Sequence, residues 1–349
     1  RNEGKLSKTA MAAFDWDRIF LAVQEYKLLK TWSNLRVDRD TLKDFCLARN
    51  DWYSLYAPAS ELEFRTFADV LKQQAILIRL LLDYTDRFYQ ALKGAYEGQF
   101  FEVDYIDEHH GSMLVSYQIE IDNTDDGETW RQKLEKLKAL VAAGNIQAAK
   151  SAWTDGPLVA IIFDKHLYYP LMSPKDGHPL PLRMRPVAFD GVSEIEFVRD
   201  LEAFCASDEA KKLLGTKRLY LLRNADTKNK GLGFATAGNF YPDFLLWLLV
   251  DGRQYVTFVD PKGITRLEGF NDPKISFYKT IKDLEARLGD PAVILNSFII
   301  SNTPYAKVAF WERQFGINKA AFEQRHVLFQ KDDQVTYIQN MLKLIQLSG

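Results

Sequence analysis

Residues 241–263 read Tyr241-Pro242-Asp243, FLLWLLV (244–250), Asp251-Gly252, RQYVTFV (253–259) and Asp260-Pro261-Lys262-Gly263. Asp-Gly between two apolar runs predicts a hairpin closed by a two-residue turn. That turn sets Val250 opposite Arg253, and every facing pair then sums to 503. Asp243 therefore faces Asp260. Directly opposed residues on one sheet face have Cβ atoms roughly 4.5–5.5 Å apart. Lys262, two residues beyond Asp260, shares that face if the strand continues. Pro261 between them is tolerated where the ladder is ending.

Two opposed carboxylates repel each other unless they are hydrated or share a cation. A hard divalent cation such as Mg²⁺ prefers oxygen ligands. Asp243 and Asp260 can hold one, with the Pro261 carbonyl as a third ligand. Lys262 can stabilise a pentavalent phosphate or lower the pKa of an attacking water. A metal supplies charge stabilisation and activates water, so the set suits phosphodiester hydrolysis. The competing reading is a solvated cluster at a hairpin end, and a one-residue bulge would separate the pair. Glu194 lies in the first turn of an upstream helix, where the helix dipole alone favours a carboxylate. Its functional alternative is to point across to the Asp pair as a metal or water ligand. Ser193 is expected to cap that helix, with Glu196 at the third position beyond it.

Working outward, residues 193–206 carry Ile195, Val198, Leu201 and Cys205 on one helical face. Strands are predicted at 218–222, 241–250, 253–260 and 293–300, with a helix at 273–288 opened by Pro273. Val327–Gln330 reads as a short strand and 332–346 as a final helix. The order helix, strand, strand, strand, helix, strand argues an α/β layer structure around a mixed sheet flanked by helices. The first half differs. Helices are predicted at 15–31, 38–50, 61–92 and 129–151, so the N-terminal domain is mainly helical. The 61–92 helix is nearly apolar all round at its centre and calls for burial on several sides. Leu114–Ile121 and Leu158–Phe163 read as strands. Residues 173–181 hold three prolines and a glycine, the preferred boundary. The expected division is a helical connector domain at 1–157, a strand-rich junction at 158–181 and the mixed-sheet domain at 182–349.

The 349 residues are 47% hydrophobic, which excludes disorder as the main state. Net charge is −2, unlike that of a wholesale basic nucleic-acid binder. Residues 1–180 carry 22 Lys/Arg against 27 Asp/Glu, and 181–349 carry 23 against 20, so the second half is slightly basic. That permits a phosphate-binding surface. Cys46 and Cys205 suit a reducing compartment better than a disulfide scaffold. No signal peptide and no long apolar run is visible. A cytoplasmic protein without a membrane partner is expected.

Glu194, Pro242-Asp243 and Asp260-x-Lys262 match the PD-(D/E)xK nuclease signature. PVAFDGVSEIEFVRDLEAF, LYLLRN, GLGFATAGNFYPDFLLWL, QYVTFVDPKG and LNSFIISNT extend the likeness. With FCLARNDWYSLY and FDKHLYYPL upstream, the chain resembles the C-terminal region of helicase–nucleases of the type III restriction subunit class. The resemblance is strongest from about 158 to 345. It implies a PD-(D/E)xK restriction-endonuclease-like fold that cuts DNA with Mg²⁺ in a restriction or anti-phage system. It further implies metal binding by Asp243 and Asp260, water activation assisted by Lys262, and a site completed by Glu194. Position 260 is Asp rather than the commoner Glu; the signature allows either. No G-x-x-x-x-G-K-[ST] phosphate loop occurs, so a helicase/ATPase module is expected upstream or in a partner chain. The alternative is a non-cleaving DNA-binding or assembly module that retains the nuclease fold.

Four further residues are candidates for nucleic-acid contact. Arg223 ends a strand and either meets phosphate or forms a surface ion pair. Lys228 and Lys230 lie in a loop that either follows a DNA backbone or is simply solvated. Tyr241 shares the Asp243 face and either touches substrate or packs at the sheet edge. His109-His110 is not read as a metal site, since adjacent side chains diverge. His166 is assigned a structural hydrogen bond.

Overall fold

The computed structural model describes residues 2–49, 51–100, 102–103, 105–225, 231–234, 240–265, 267, 269–308 and 318–347. Two compact units, Arg1–Phe100 and Phe101–Gly349, make up the chain. The division falls at 100/101 rather than in the proline-rich 173–181 stretch.

The first unit holds strand β1 (Asn2–Gly4) and helices α1 (Lys8–Ala12), α2 (Trp16–Leu29) and α3 (Arg39–Ala48). Strand β2 (Leu55–Ala57), which pairs antiparallel with β1, and helices α4 (Ala59–Leu62) and α5 (Phe67–Glu97) complete it. Thr66 and Asp69 form a reciprocal capping box at the start of α5. The helix buries one face, through Val70, Gln73, Gln74, Leu77, Leu81 and Thr85. Leu71, Phe88 and Leu92 are exposed, so the burial on several sides expected from its composition is not found. Each of the two buried amides is held at one end, and Gln73 Oε1 has no hydrogen-bond partner among the described residues. Gln74 Oε1 accepts the Asp15 N–H at 2.8 Å, and Gln73 Nε2 donates to the Leu62 carbonyl at 2.9 Å.

The second unit begins with β3 (Gln118–Ile121), α6 (Asp125–Ala142), α7 (Ile146–Ala152), β4 (Leu158–Ile161), β5 (Leu171–Pro174) and β6 (Leu182–Arg185). β3 pairs antiparallel with β6, and β4 with β5. One helix was expected over 129–151. The chain makes two because Gly144 takes φ +70° and Asn145 caps the next helix through Ala148 N.

There follow α8 (Val192–Cys205), α9 (Asp208–Leu214), β7 (Arg218–Arg223), β8 (Phe244–Val250), β9 (Arg253–Lys262), α10 (Pro273–Leu288), β10 (Val293–Ser301) and β11 (Val327–Phe329). The helix Thr336–Leu347 closes the described chain. β7 to β11 form a five-stranded mixed sheet ordered β11-β10-β9-β8-β7. The β7–β8 and β8–β9 pairs are antiparallel; β9–β10 and β10–β11 are parallel. α10 is the crossover that a parallel β9–β10 pair requires.

Alternation along the strands divides the core. Leu221, Phe244, Leu246 and Val259 pack with Phe197, Val198 and Leu201 of α8 and with Tyr337 and Met341 of the last helix. Leu222, Leu245 and Phe258 pack with Phe277, Ile281 and Leu284 of α10. Each fully buried apolar side chain contributes roughly 1.5–3 kcal/mol. Helices on both faces press the sheet into place, which fixes the strand ends where the polar residues gather.

Candidate active site at the end of the sheet

The hairpin register runs from Val250↔Arg253 to Phe244↔Val259, each pair summing to 503. Asp251 (φ 48°) and Gly252 (φ 81°) both take positive φ, as a type I′ turn demands. The β8 ladder ends at Phe244, so Asp243 is the first residue outside it. Its carbonyl is held by the Asn224 N–H at 2.8 Å. β9 does not end beside it. Asp260, Pro261 and Lys262 continue against Ile299, Ile300 and Ser301 of β10. Pro261 is accommodated because β8 has left that flank of β9. Alternation places Asp260 and Lys262 on the α10 side of the sheet, with Phe258.

Arg223 is the hub of the cluster. It is 8% exposed. Its guanidinium reaches Glu194 at 3.1 Å, Asp243 at 3.1 Å and Asp190 at 3.2 Å. It also donates to the carbonyls of Ala188 (2.9 Å) and Asp243 (2.8 Å). Expected as a surface phosphate contact or a surface ion pair, Arg223 is instead a buried counter-charge. Glu194 sits at the third position of α8, and its carboxylate reaches back to the Asp190 N–H at 3.1 Å. The cap is Gly191, not Ser193, and no side chain caps the helix. Ser193 Oγ instead donates to the Pro261 carbonyl at 3.2 Å, and Glu196 pairs with Lys331. Burial pushes Glu194 up to about 7; Arg223 opposes the shift and Asp243 adds to it. Burial also raises Asp243, against the pull of Arg223 and Lys262.

Lys262 pairs with Asp260 and stands 4.9 Å from the Phe240 ring centroid. Lys274, in the first turn of α10, stands 5.5 Å from the same ring. Burial and the Lys274 ammonium push Lys262 down to about 7, against Asp243 and Asp272. Asp260 itself is 4% exposed, and its Oδ2 is taken by the Lys262 ammonium.

A divalent ion would find here the buried Asp260 carboxylate, the half-buried Asp243 carboxylate and the Pro261 carbonyl, which also accepts from Ser193 Oγ. Those hard oxygen donors suit Mg²⁺. To be held, the ion has to displace Lys262 from Asp260. Glu194 is engaged by Arg223, and among the described residues no group of three or more acidic, His or Cys side chains is arranged to hold a metal ion.

Tyr241 is half-buried, and its ring lies against the backbone of Gly233, where a Cβ would overlap it. Lys228 and Lys230 lie outside the described residues. His166 is buried and neutral, pushed down to about 3 by burial. Its Nε2 accepts the Arg223 N–H at 2.8 Å, which leaves Nδ1 to donate to the Tyr168 carbonyl. His109 is exposed. Sequence reading missed Asp190 and Phe240, and gave Asn224 and Lys274 no place in the site itself. Lys274 carried a signal: a cation in a helix's first turn opposes the dipole and calls for another reason to be there. Asn224 ties the cluster together by donating to the carbonyls of Leu232 (2.8 Å) and Pro242 (2.9 Å).

Among the described residues no helix is long and apolar enough to cross a membrane. Compared with family models, curated proteins and solved structures, the chain has no match.

Proposed function

We propose that the chain is a Mg²⁺-dependent endonuclease module that hydrolyses DNA phosphodiester bonds. The carrying observation is the buried Asp260 carboxylate paired with Lys262 at the same sheet end as Asp243. We read the α8–β7–β8–β9–α10–β10 core as the PD-(D/E)xK fold. By its resemblance, the module works with a helicase/ATPase in a restriction or anti-phage machine.

Asp243 and Asp260 hold the ion, with the Pro261 carbonyl as an added donor. Mg²⁺ bound there supplies positive charge against the phosphate and acidifies a nearby water. Arg223 keeps Asp243 oriented through its carboxylate and its carbonyl together. Glu194, on the other side of Arg223, sets how much of that positive charge Asp243 feels. Lys262, pushed down to about 7 by burial and Lys274, would take the proton of the attacking water once released from Asp260. The water oxygen would bond to phosphorus, the phosphorus–oxygen bond of the leaving nucleotide would break with the leaving oxygen taking a proton from solvent, and Lys262 would end as an ammonium. The Phe240 ring covers the amine on one side.

A specific observation favours the second reading, a non-cleaving DNA-binding or assembly module. Each acid already has a protein cation: Arg223 for Glu194 and Asp243, Lys262 for Asp260. The two readings separate when the full chain is incubated with supercoiled and linear DNA, with Mg²⁺ or EDTA, beside Asp260→Ala. The nuclease reading expects cutting that needs Mg²⁺ and is lost in the variant. Equal cutting by both proteins overturns the site. Duplex binding with no cutting and no Mg²⁺ binding establishes the second reading in its place.

A further inference from the structure

A second polar cleft opens at the same end of the sheet, one residue past Lys262, and none of the residues assigned above to metal or water chemistry lines it. It has a volume of about 420 Å³ and is walled by the start of α8 and by the segment that follows β10. That is room for a phosphate together with its sugar, within the range of small-ligand sites.

Two of the polar side chains facing it lack protein partners among the described residues. Thr303 is 8% exposed, and its hydroxyl is unpartnered among the described residues. The Asn302 side chain has none either. Both stand over Gly263: a Cβ added there would meet Asn302 Oδ1 and Thr303 Oγ1, each at 3.3 Å. Glycine thus leaves open a hollow between an amide and a hydroxyl. Val192 and Ser193, the first residues of the 14-residue α8, line the same cleft, and no side chain caps this helix. Its leading N–H groups therefore remain available to an anion. Lys307 is exposed and has no acidic partner among the described residues. Lys331 and Glu196 neutralise each other at 2.7 Å. Among the described residues one positive charge remains, with donors from the Thr303 hydroxyl and the helix start, while Asn302 turns its amide oxygen toward Gly263. The cleft is tied to the candidate active site, because Asn302 N donates to the Lys262 carbonyl at 3.1 Å and Ser193 Oγ to that of Pro261 at 3.2 Å.

We infer that this cleft binds a phosphate group of the nucleic-acid backbone, next to the phosphodiester presented to Lys262. The assignment names a substrate contact for the function proposed above and rests on that reading for its identity as backbone. Inorganic phosphate shares the chemistry, and the test separates the two sources.

Binding of a fluorescent duplex dodecamer to the full chain is measured by anisotropy over a range of NaCl in EDTA, where neither metal nor cleavage enters. Wild type is compared with Lys307→Gln, Gly263→Ala and, as a control of equal charge change, Lys211→Gln. Loss of one phosphate contact reduces the slope of log K against log salt by about 0.9. That reduction is expected for Lys307→Gln and not for Lys211→Gln. Gly263→Ala fills the hollow without changing charge and is expected to weaken binding about fivefold or more, a loss on the scale of a charged hydrogen bond. Duplex affinity and salt slope equal to wild type in both Lys307→Gln and Gly263→Ala overturn the inference. If inorganic phosphate binding is lost in both while duplex binding is unchanged, the site is a free-phosphate site and the backbone assignment falls. Because the measurement is made without metal, failure of the nuclease chemistry would leave these outcomes unaltered.

Discussion

Replacing Arg223 by Met keeps an apolar stem of similar reach and removes the charge on which the cluster turns. Three carboxylates lose their partner, but they do not count equally. The Asp190 side chain is 63% exposed, so its pair contributes little. Glu194 is buried and Asp243 half-buried, at 8% and 19% side-chain exposure. Removing one partner of a buried pair costs about 3–5 kcal/mol. The Ala188 carbonyl also loses its guanidinium donor, adding about 1 kcal/mol. Near pH 8 the loss should total about 4–6 kcal/mol. At roughly 2–4 °C per kcal/mol for a unit of this size, that is a fall of about 8–24 °C in Tm. The loss should depend on pH. Burial already holds Glu194 up to about 7, and without Arg223 it rises further. A carboxyl raised in the folded state costs stability as pH climbs from its ordinary value through the raised one. At about pH 5.5 the stranded acids protonate and most of the deficit disappears. Thermal unfolding of both proteins at the two pH values tests this. A deficit under about 1 kcal/mol, or one equal at both pH values, would refute the hub role of Arg223.

Divalent-cation affinity measured by calorimetry should rise as pH passes upward through about 7, where Glu194 loses its proton and Lys262 loses the charge that competes for Asp260; an affinity that is flat with pH contradicts the competition. Gly231→Ala should cost about 1–3 kcal/mol in chemical denaturation, because a Cβ there overlaps the Ala225 carbonyl and no side chain can give way; wild-type stability would show that the segment relaxes freely. Leu77→Ala, at a fully buried position of α5, should cost about 2–5 kcal/mol of stability in the N-terminal unit; a loss under 1 kcal/mol would mean that the α5 face is not its core.

How far the sequence could be read depended on the range of the interactions. The Asp251-Gly252 turn is local chemistry, and one two-residue turn sets a register that holds to Phe244↔Val259. The helix Pro273–Leu288 has its expected limits, because Asp272 caps it, Pro273 starts it and Gly289 ends it in the left-handed region. Ser193 was read as a cap from its spacing to Glu196, but the first turn of α8 is placed by contact with β9, and Gly191 takes the cap position. The ladder was expected to end near Pro261. It continues because β10, more than 30 residues later in sequence, supplies a partner. Arg223 could not be recognised as the centre of the cluster, since Asp190, Glu194 and Asp243 come to it from separate segments. The helix over 129–151 was divisible in principle, as Gly144-Asn145 is a stop followed by a cap.

The most direct measurement is anomalous diffraction from crystals of the chain soaked in Mn²⁺, a stand-in for Mg²⁺ with a detectable signal. A single strong peak within roughly 2–2.5 Å of an oxygen from each of Asp243 and Asp260 is expected, with Lys262 moved off Asp260. No peak between these carboxylates at millimolar metal, with Arg223 and Lys262 still holding them, would contradict the metal-dependent site.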